Sequence, residues 1–485
     1  MLRRARHTML GGAPVGIVKG RARAPTMPRM RDRPSASATA DDVPSVPFRD
    51  AFRFWLQLGF ISFGGPAGQI AIMHAELVER RRWISERRFL HALNYCMLLP
   101  GPEAQQLATY IGWLMHRTWG GVVAGALFVL PSLVILIALS WLYMAYGQTP
   151  LVAGLFYGIK PAVTAIVVHA AWRIGSRALK NALLWSIAAA AFVAIFALNV
   201  PFPWIVLAAG IVGWLGGRLR PQWFRGGASH AAAQAAHAPA LIDDDTPTPP
   251  HARYRPWRLA LVVGVGLALW AAPMALLAAL QPQGTLAQMG WFFTKAALLT
   301  FGGAYAVLPN VYQGAVTHFG WLTPTQMIDG LALGETTPGP LIMVVAFVGF
   351  VGGWGSGELA ALFGADHRFV AGAAAACVAT WFTFLPSFVF ILAGGPLVES
   401  THGELRFTAP LTAITAAVVG VIVNLALFFG WHVLWPQGAQ GRLDVASAAI
   451  ALAAALALFR FKRGVIEVIA GCAGVGLLVH LLRGA

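Results

Sequence analysis

Apolar residues dominate this chain in long unbroken runs. Thirteen segments stand out, at about 51–78, 89–115, 120–146, 151–172, 182–200, 202–217, 257–280, 287–316, 326–353, 369–394, 407–435, 443–460 and 464–482. Most carry almost no charge, and a membrane helix needs roughly 20 consecutive apolar residues. The pattern therefore predicts an all-α polytopic membrane protein. Two stretches interrupt it. Residues 1–45 are rich in Arg, Pro, Ser and Ala and read as a disordered basic N-terminal tail. They lack the apolar core of a secretory signal; Met27 and Met30 are alternative starts. Residues 218–256 combine Gly-Gly, an Ala/His run, three aspartates and several prolines, the composition of a flexible linker.

The apolar segments repeat. Phe63-Gly64-Gly65, Trp83 and Pro100-Gly101-Pro102 recur as Phe301-Gly302-Gly303, Trp321 and Pro338-Gly339-Pro340, each 238 residues later. Leu130-Pro131-Ser132 recurs as Leu385-Pro386-Ser387, 255 residues later, which places an insertion near 355–368. Residues 46–217 then form a first transporter repeat and 281–485 a second, with 257–280 a connecting transmembrane helix. One odd connector between halves of even crossing number inverts the second half, so two inverted-topology repeats are expected.

Glycine and proline inside apolar segments predict broken, re-entrant helices. Proline removes a backbone donor and clashes with the preceding turn. Unpaired backbone groups at membrane depth are tolerated only where protein or a water-filled cavity satisfies them. Residues 51–63 span only about 20 Å at 1.5 Å per residue, short of a roughly 30 Å hydrocarbon core. A hairpin at Gly64-Gly65-Pro66 keeps the basic N-terminus and Arg80, Arg81, Arg82, Arg87 and Arg88 on one side. A second hairpin at Pro100-Gly101-Pro102 returns Arg117 to that side. Basic loops mark the cytoplasm, so the N-terminus is expected inside.

Composition agrees. The chain is 58% hydrophobic and 11% charged, against about 25% charge in soluble domains. Its formal net charge of +16 is concentrated in the tail and loops, which argues for membrane topology and against nucleic-acid binding. Cys96, Cys377 and Cys472 lie far apart in apolar segments, so neither a disulfide framework nor a thiolate metal site is expected. His230, His237 and His251 have no ligand spacing, and no cofactor or metal is expected. HExxH, GxSxG, CxxC and P-loop motifs are missing from the sequence, which leaves an embedded enzyme as a remote alternative.

The candidate chemistry gathers at the breaks. Half-helices restarting after Pro66, Pro102 and Pro340 turn N–H groups and positive dipole ends into a cavity, which suits an anion with several acceptor oxygens. Gly64, Gly65, Gly302, Gly303, Pro100, Gly101, Pro102, Pro338, Gly339 and Pro340 shape the breaks. Gln105, Gln106, Asn94 and Thr337 supply hydrogen bonds. Lys160, with no sequence partner, and Lys295 are candidate cations. Glu103 and Glu335 flank the Pro-Gly-Pro turns and are candidates for proton coupling. Arg53 and Arg173 read as topological.

Phe60–Ile70, Leu99–Tyr110, Gly158-Ile159-Lys160-Pro161-Ala162 and Gly334–Pro340 together resemble the chromate ion transporter family in its long, two-domain bacterial form, over about residues 47–482. The resemblance implies a multi-pass protein of the bacterial inner membrane that exports chromate and confers chromate resistance, driven by membrane potential or a proton gradient. Uptake or exchange of sulfate or another oxyanion is the alternative. The implied partners are the oxyanion, the lipid bilayer and a second copy in a homodimer.

Overall fold

The computed structural model describes residues 46–63, 65–224, 240–244, 246–301, 303–400, 408–438 and 441–484. Gly64, Gly302, His230 and His237 lie outside them. Among the described residues seventeen α-helices run in the order α1 (Phe48–Ile61), α2 (Gly65–His74), α3 (Glu86–Cys96), α4 (Glu103–Tyr146), α5 (Pro150–Ala178), α6 (Ala182–Phe196), α7 (Phe202–Leu219), α8 (Pro256–Leu280), α9 (Thr285–Leu298), α10 (Ala304–Tyr312), α11 (Pro324–Thr336), α12 (Val344–Gly355), α13 (Gly357–Phe363), α14 (Arg368–Ser400), α15 (Thr408–Leu434), α16 (Val445–Phe459) and α17 (Val465–Gly484). Seven are long and apolar enough to cross a bilayer, and an eighth span forms if α12 and α13, bent by 75°, count as one. Trp185, Trp204 and Leu219 stand exposed on this surface. Water would penalise such a surface, whereas lipid solvates it. The chain is an all-α multi-pass membrane protein.

The element order recurs at the sequence offset. α1, α2 and α3 correspond to α9, α10 and α11. A π-helical turn, rare in proteins, follows α2 at Ala75–Arg80 and α10 at Gln313–His318, again 238 residues apart. Ser85 caps α3 by accepting from Arg88 N–H, and its counterpart Thr323 caps α11 in a capping box with Gln326. Left-handed backbone recurs at three matched pairs: Gly65 and Gly303, Arg82 and Gly320, Gly101 and Gly339.

Each half begins with two helical hairpins. In the first half, Val46 at the start of α1 accepts from His116 Nε2 at 2.7 Å, and Phe54 packs its ring 5.2 Å from Trp83. The chain has therefore turned back between α1 and α2. In the second half, Phe292 lies 5.7 Å from Trp321 in the matching arrangement.

The break expected between residues 89–115 and 120–146 falls at His116 and Arg117, whose non-helical backbone divides α4 into two arms. There the chain folds back on itself. A Cβ on Gly112 would sit 2.5 Å from the Gly120 carbonyl, so the two arms touch backbone to backbone. Gly112 and Gly120 allow this close approach, while His116 and Arg117 make the turn.

The remaining helices exchange partners between halves. α5 packs against α16 and α17, and α15 packs against α6 and α7. α8 lies outside against α9 and α14. Its 25 residues, about 37 Å, separate the end that meets Pro250 and His251 from the end where Thr285 N–H reaches Glu358 at 3.0 Å. The end of the expected flexible linker is docked. Ser85 N–H donates to the Ile242 carbonyl at 2.9 Å, and Ser85 Oγ donates to Asp244 at 2.6 Å.

Candidate functional site

The breaks of the two halves meet. Gly101 N–H donates to the Thr300 carbonyl at 2.7 Å, and Gly339 N–H donates to the Ser62 carbonyl at 2.8 Å. These bonds are counterparts at the same offset. Each Pro-Gly-Pro turn caps a carbonyl left free at the end of the other half's first helix, where no intrahelical donor remains. A Cβ on Gly303 would lie 4.0 Å from Pro66, so the starts of α2 and α10 are neighbours too.

The backbone at these turns admits only glycine. Gly101 has φ +126° and Gly339 φ +103°. A Cβ at Gly101 would fall 2.3 Å from Ser387 Oγ, and one at Gly339 would fall 2.7 Å from Ser132 Cβ. Ser132 and Ser387 come from the repeated Leu-Pro-Ser motif. That motif served only as a landmark in the sequence, but here its serines press on the turns.

Buried polar groups line this junction. Ser62, Gln69, Gln105, Gln106, Ser132, Thr300, Thr337 and Ser387 are all buried. Gln69 donates to the Gly339 carbonyl at 2.5 Å, and Gln106 donates to the Pro100 carbonyl at 2.8 Å. Gln105 donates to Thr109 Oγ1 at 3.0 Å. Ser62 Oγ, Ser132 Oγ and the Oε1 atoms of Gln69, Gln105 and Gln106 find no hydrogen-bond partner among the described residues. A buried unpaired polar group costs about 1–3 kcal/mol. Five in one region mark a place built to hold something polar. Ser62, Gln69, Ser132, Thr300 and Ser387 escaped the sequence reading. Gln69 and Ser62 lie inside the quoted break motif, but periodicity cannot show which side chains face inward at a break.

α4 begins at Glu103, α10 at Ala304 and α2 at Gly65, and a 3₁₀ turn at Leu341–Met343 leads into α12. The first-turn N–H groups of such helices lack intrahelical acceptors and carry partial positive charge. An anion at the junction meets first-turn N–H groups and the free Ser62 and Ser132 hydroxyls, donors suited to an oxyanion, while the amide Nε2 groups are already engaged.

The charged candidates fall into distinct places. Glu335 is buried at the end of α11 and accepts a hydrogen bond from Tyr305. Glu103 is half-buried at the first turn of α4 and makes no hydrogen bond or ion pair among the described residues. Lys160 does have a partner: its Nζ lies 3.6 Å from Asp329 Oδ2 on α11. The pairing was hidden because the two residues lie in different repeats. Lys295 is exposed on α9 and Asn94 on α3, away from the buried junction. His251 Nε2 donates to the Trp113 carbonyl at 3.0 Å, and no metal-binding cluster occurs among the described residues.

The chromate transporter family profile matches residues 49–214 and 287–477. The chain belongs to the chromate transporter family. A chromate transport protein of Cupriavidus metallidurans is 29% identical over 92% of this chain and 97% of its own length. One from Pseudomonas aeruginosa is 35% identical over 80% of this chain and 83% of its own. A probable chromate transport protein of Synechococcus elongatus is 28% identical over 80% and 86%. No solved structure matches. In this transporter the two matched segments hold both Pro-Gly-Pro turns and both sets of hairpins, and the unmatched stretch between them holds the docked linker and α8.

Proposed function

We infer that this chain exports chromate from the bacterial cytoplasm across the inner membrane, with its N-terminus inside. The observation that carries the reading is the reciprocal pair of bonds, Gly101 to Thr300 and Gly339 to Ser62, set among buried unpartnered polar groups. The substrate follows from the donor set there and from relatives described as chromate transport proteins. The site comprises Gly65, Pro66, Pro100, Gly101, Pro102, Gln105, Gly303, Thr337, Pro338, Gly339 and Pro340, extended by Ser62, Gln69 and Ser132.

The architecture of this reading is a pair of inverted repeats with re-entrant hairpins meeting near the membrane midplane. Its support is the placement of the two hairpin mouths at opposite ends of α8. Alternating access then arises as the halves rock about the shared junction. Basic loops beside the first mouth put it in the cytoplasm.

The test is flux of labelled chromate into inverted vesicles, with sulfate as competitor and ionophores to collapse each gradient. Chromate accumulation that depends on the transporter supports export. Accumulation of sulfate alone, or uptake only into right-side-out vesicles, replaces it with the sulfate-uptake reading.

A further inference from the structure

Two ion pairs stand outside the junction, one toward each mouth. Toward the first mouth, Arg88 on α3 approaches Glu399 on α14, with Nη1 3.9 Å from Oε2. Toward the second mouth, Lys160 on α5 approaches Asp329 on α11 at 3.6 Å. Arg88 and Asp329 each lie roughly 12 Å of helix before their hairpin's turn. The placement is nearly symmetric. Asp329 is the counterpart of His91, one turn from Arg88, and Glu399 is the counterpart of Met144, the neighbour of Tyr143.

Both pairs are looser than a charge-assisted hydrogen bond, which runs about 2.7–2.9 Å. In each, a tyrosine holds the carboxylate instead. Tyr110 donates to Glu399 Oε1 at 2.5 Å, and Tyr143 donates to Asp329 Oδ2 at 2.8 Å. Arg88 Nη1 is buried and makes no hydrogen bond, and Asp329 Oδ1 is likewise without a partner. Nη2 of Arg88 is occupied by the Thr246 carbonyl of the docked linker, which fixes the guanidinium in place. A purely structural buried pair would close these gaps, because unpaired donors and acceptors beside a desolvated charge are costly.

We propose that Arg88–Glu399 and Lys160–Asp329 are the two gates of the transporter, each opened when a travelling oxyanion takes the carboxylate's place on the cation. Arg88 is then the anion subsite at the cytoplasmic mouth and Lys160 the one at the outer mouth. Glu399 and Asp329 are internal anions that hold each cation until substrate arrives. Displacing the carboxylate frees α14 from α3, or α4 and α5 from α11, which are the contacts that close each mouth. The proposal rests on the oxyanion-transport reading.

Chromate kinetics from the two faces test it, with inverted vesicles for the cytoplasmic mouth and right-side-out vesicles for the other. Arg88→Gln should raise the cytoplasmic-side KM about tenfold. Glu399→Gln should lower it and slow turnover, because the anion then has no competitor for release. Tyr110→Phe, a milder change that keeps the fold, should shift KM in the same direction as Glu399→Gln. Lys160→Met, Asp329→Asn and Tyr143→Phe should mirror these shifts from the outer face. Structural ion pairs predict a different outcome: neutralising either partner leaves KM unmoved on both faces, whatever it does to the yield of folded protein. That result, with wild-type flux intact, sinks the gates alone. No chromate flux in the wild type on either side sinks the transport reading and the gates with it.

Discussion

Ser132 occupies the space that a side chain on Gly339 would need: a Cβ there would stand 2.7 Å from Ser132 Cβ and 3.1 Å from its hydroxyl. The two residues belong to different repeats, and their counterparts Ser387 and Gly101 meet in the same way. Gly339→Ala and Gly101→Ala each force a left-handed backbone on a residue with a side chain, at a cost of about 1–3 kcal/mol before any clash. Each should cut chromate flux at least tenfold and lower the melting temperature in detergent. Ser132→Gly should recover part of the loss in Gly339→Ala but none in Gly101→Ala, because only the first pair shares that contact.

Lys160 and Asp329 should show coupled stabilities. Asp329 is buried, with 2% of its side chain exposed. Removing one member of a buried pair leaves the other unpaired, at about 3–5 kcal/mol. Lys160→Met should therefore reduce the yield of folded protein, contrary to what a partnerless lysine implies. Lys160→Met with Asp329→Asn should restore folding without restoring flux. Thermal stability of the two variants by size-exclusion chromatography, beside the wild type, is the check.

Export should run on membrane potential without an obligatory proton. A dianion leaving an inside-negative cell gains about 2.3 kcal/mol per charge per 100 mV, roughly 4.6 in all. At about 1.4 kcal/mol per tenfold, that sustains on the order of a thousandfold gradient. Vesicles with an imposed potential and no pH gradient should accumulate chromate. Glu335→Gln, which keeps a hydrogen-bond partner for Tyr305, should keep most of that flux, and so should Glu103→Gln. If transport returns only with a pH gradient, these carboxylates become the coupling site.

The docked linker should loosen in mild acid. Burial beside the Trp113 carbonyl lowers the affinity of His251 for a proton below the ordinary value of 6.5. The undocked imidazole then binds the proton more readily than the docked one. Docking is fully stable above about pH 6.5 and is lost progressively as pH falls below it. Hydrogen exchange of residues 240–252 should accelerate from pH 7 to pH 5.5 in the wild type, and His251→Gln should flatten that dependence.

Long apolar runs and the 238-residue offset made the membrane class and the paired breaks legible in the sequence, because both are properties of spacing. Gly101, Gly339, Gly65 and Gly303 could be named because a break in lipid needs residues that tolerate unusual backbone. The reversal at His116–Arg117 was legible too, since it falls in the gap between the apolar segments 89–115 and 120–146. Asp329 was passed over because its partners Lys160 and Tyr143 are distant in sequence and come from the other repeat. Gln69 and Ser132 were missed for a similar reason: their role depends on which way a side chain faces at a junction of four helix ends.

The exchange of helices between halves reaches back to the ribosome. α5 emerges long before α16 and α17, the helices it packs against. Until the C-terminal third is made, the small-residue face of α5 has only lipid or the insertion machinery to cover it. Gly158, for instance, awaits the backbone of Cys472, which lies close enough that even a methyl group would collide with it. A message cut short after Leu219 thus yields a half-protein with its main seam open, a ready substrate for membrane proteases. Closure of this seam waits on α16 and α17, which follow α5 by nearly three hundred residues.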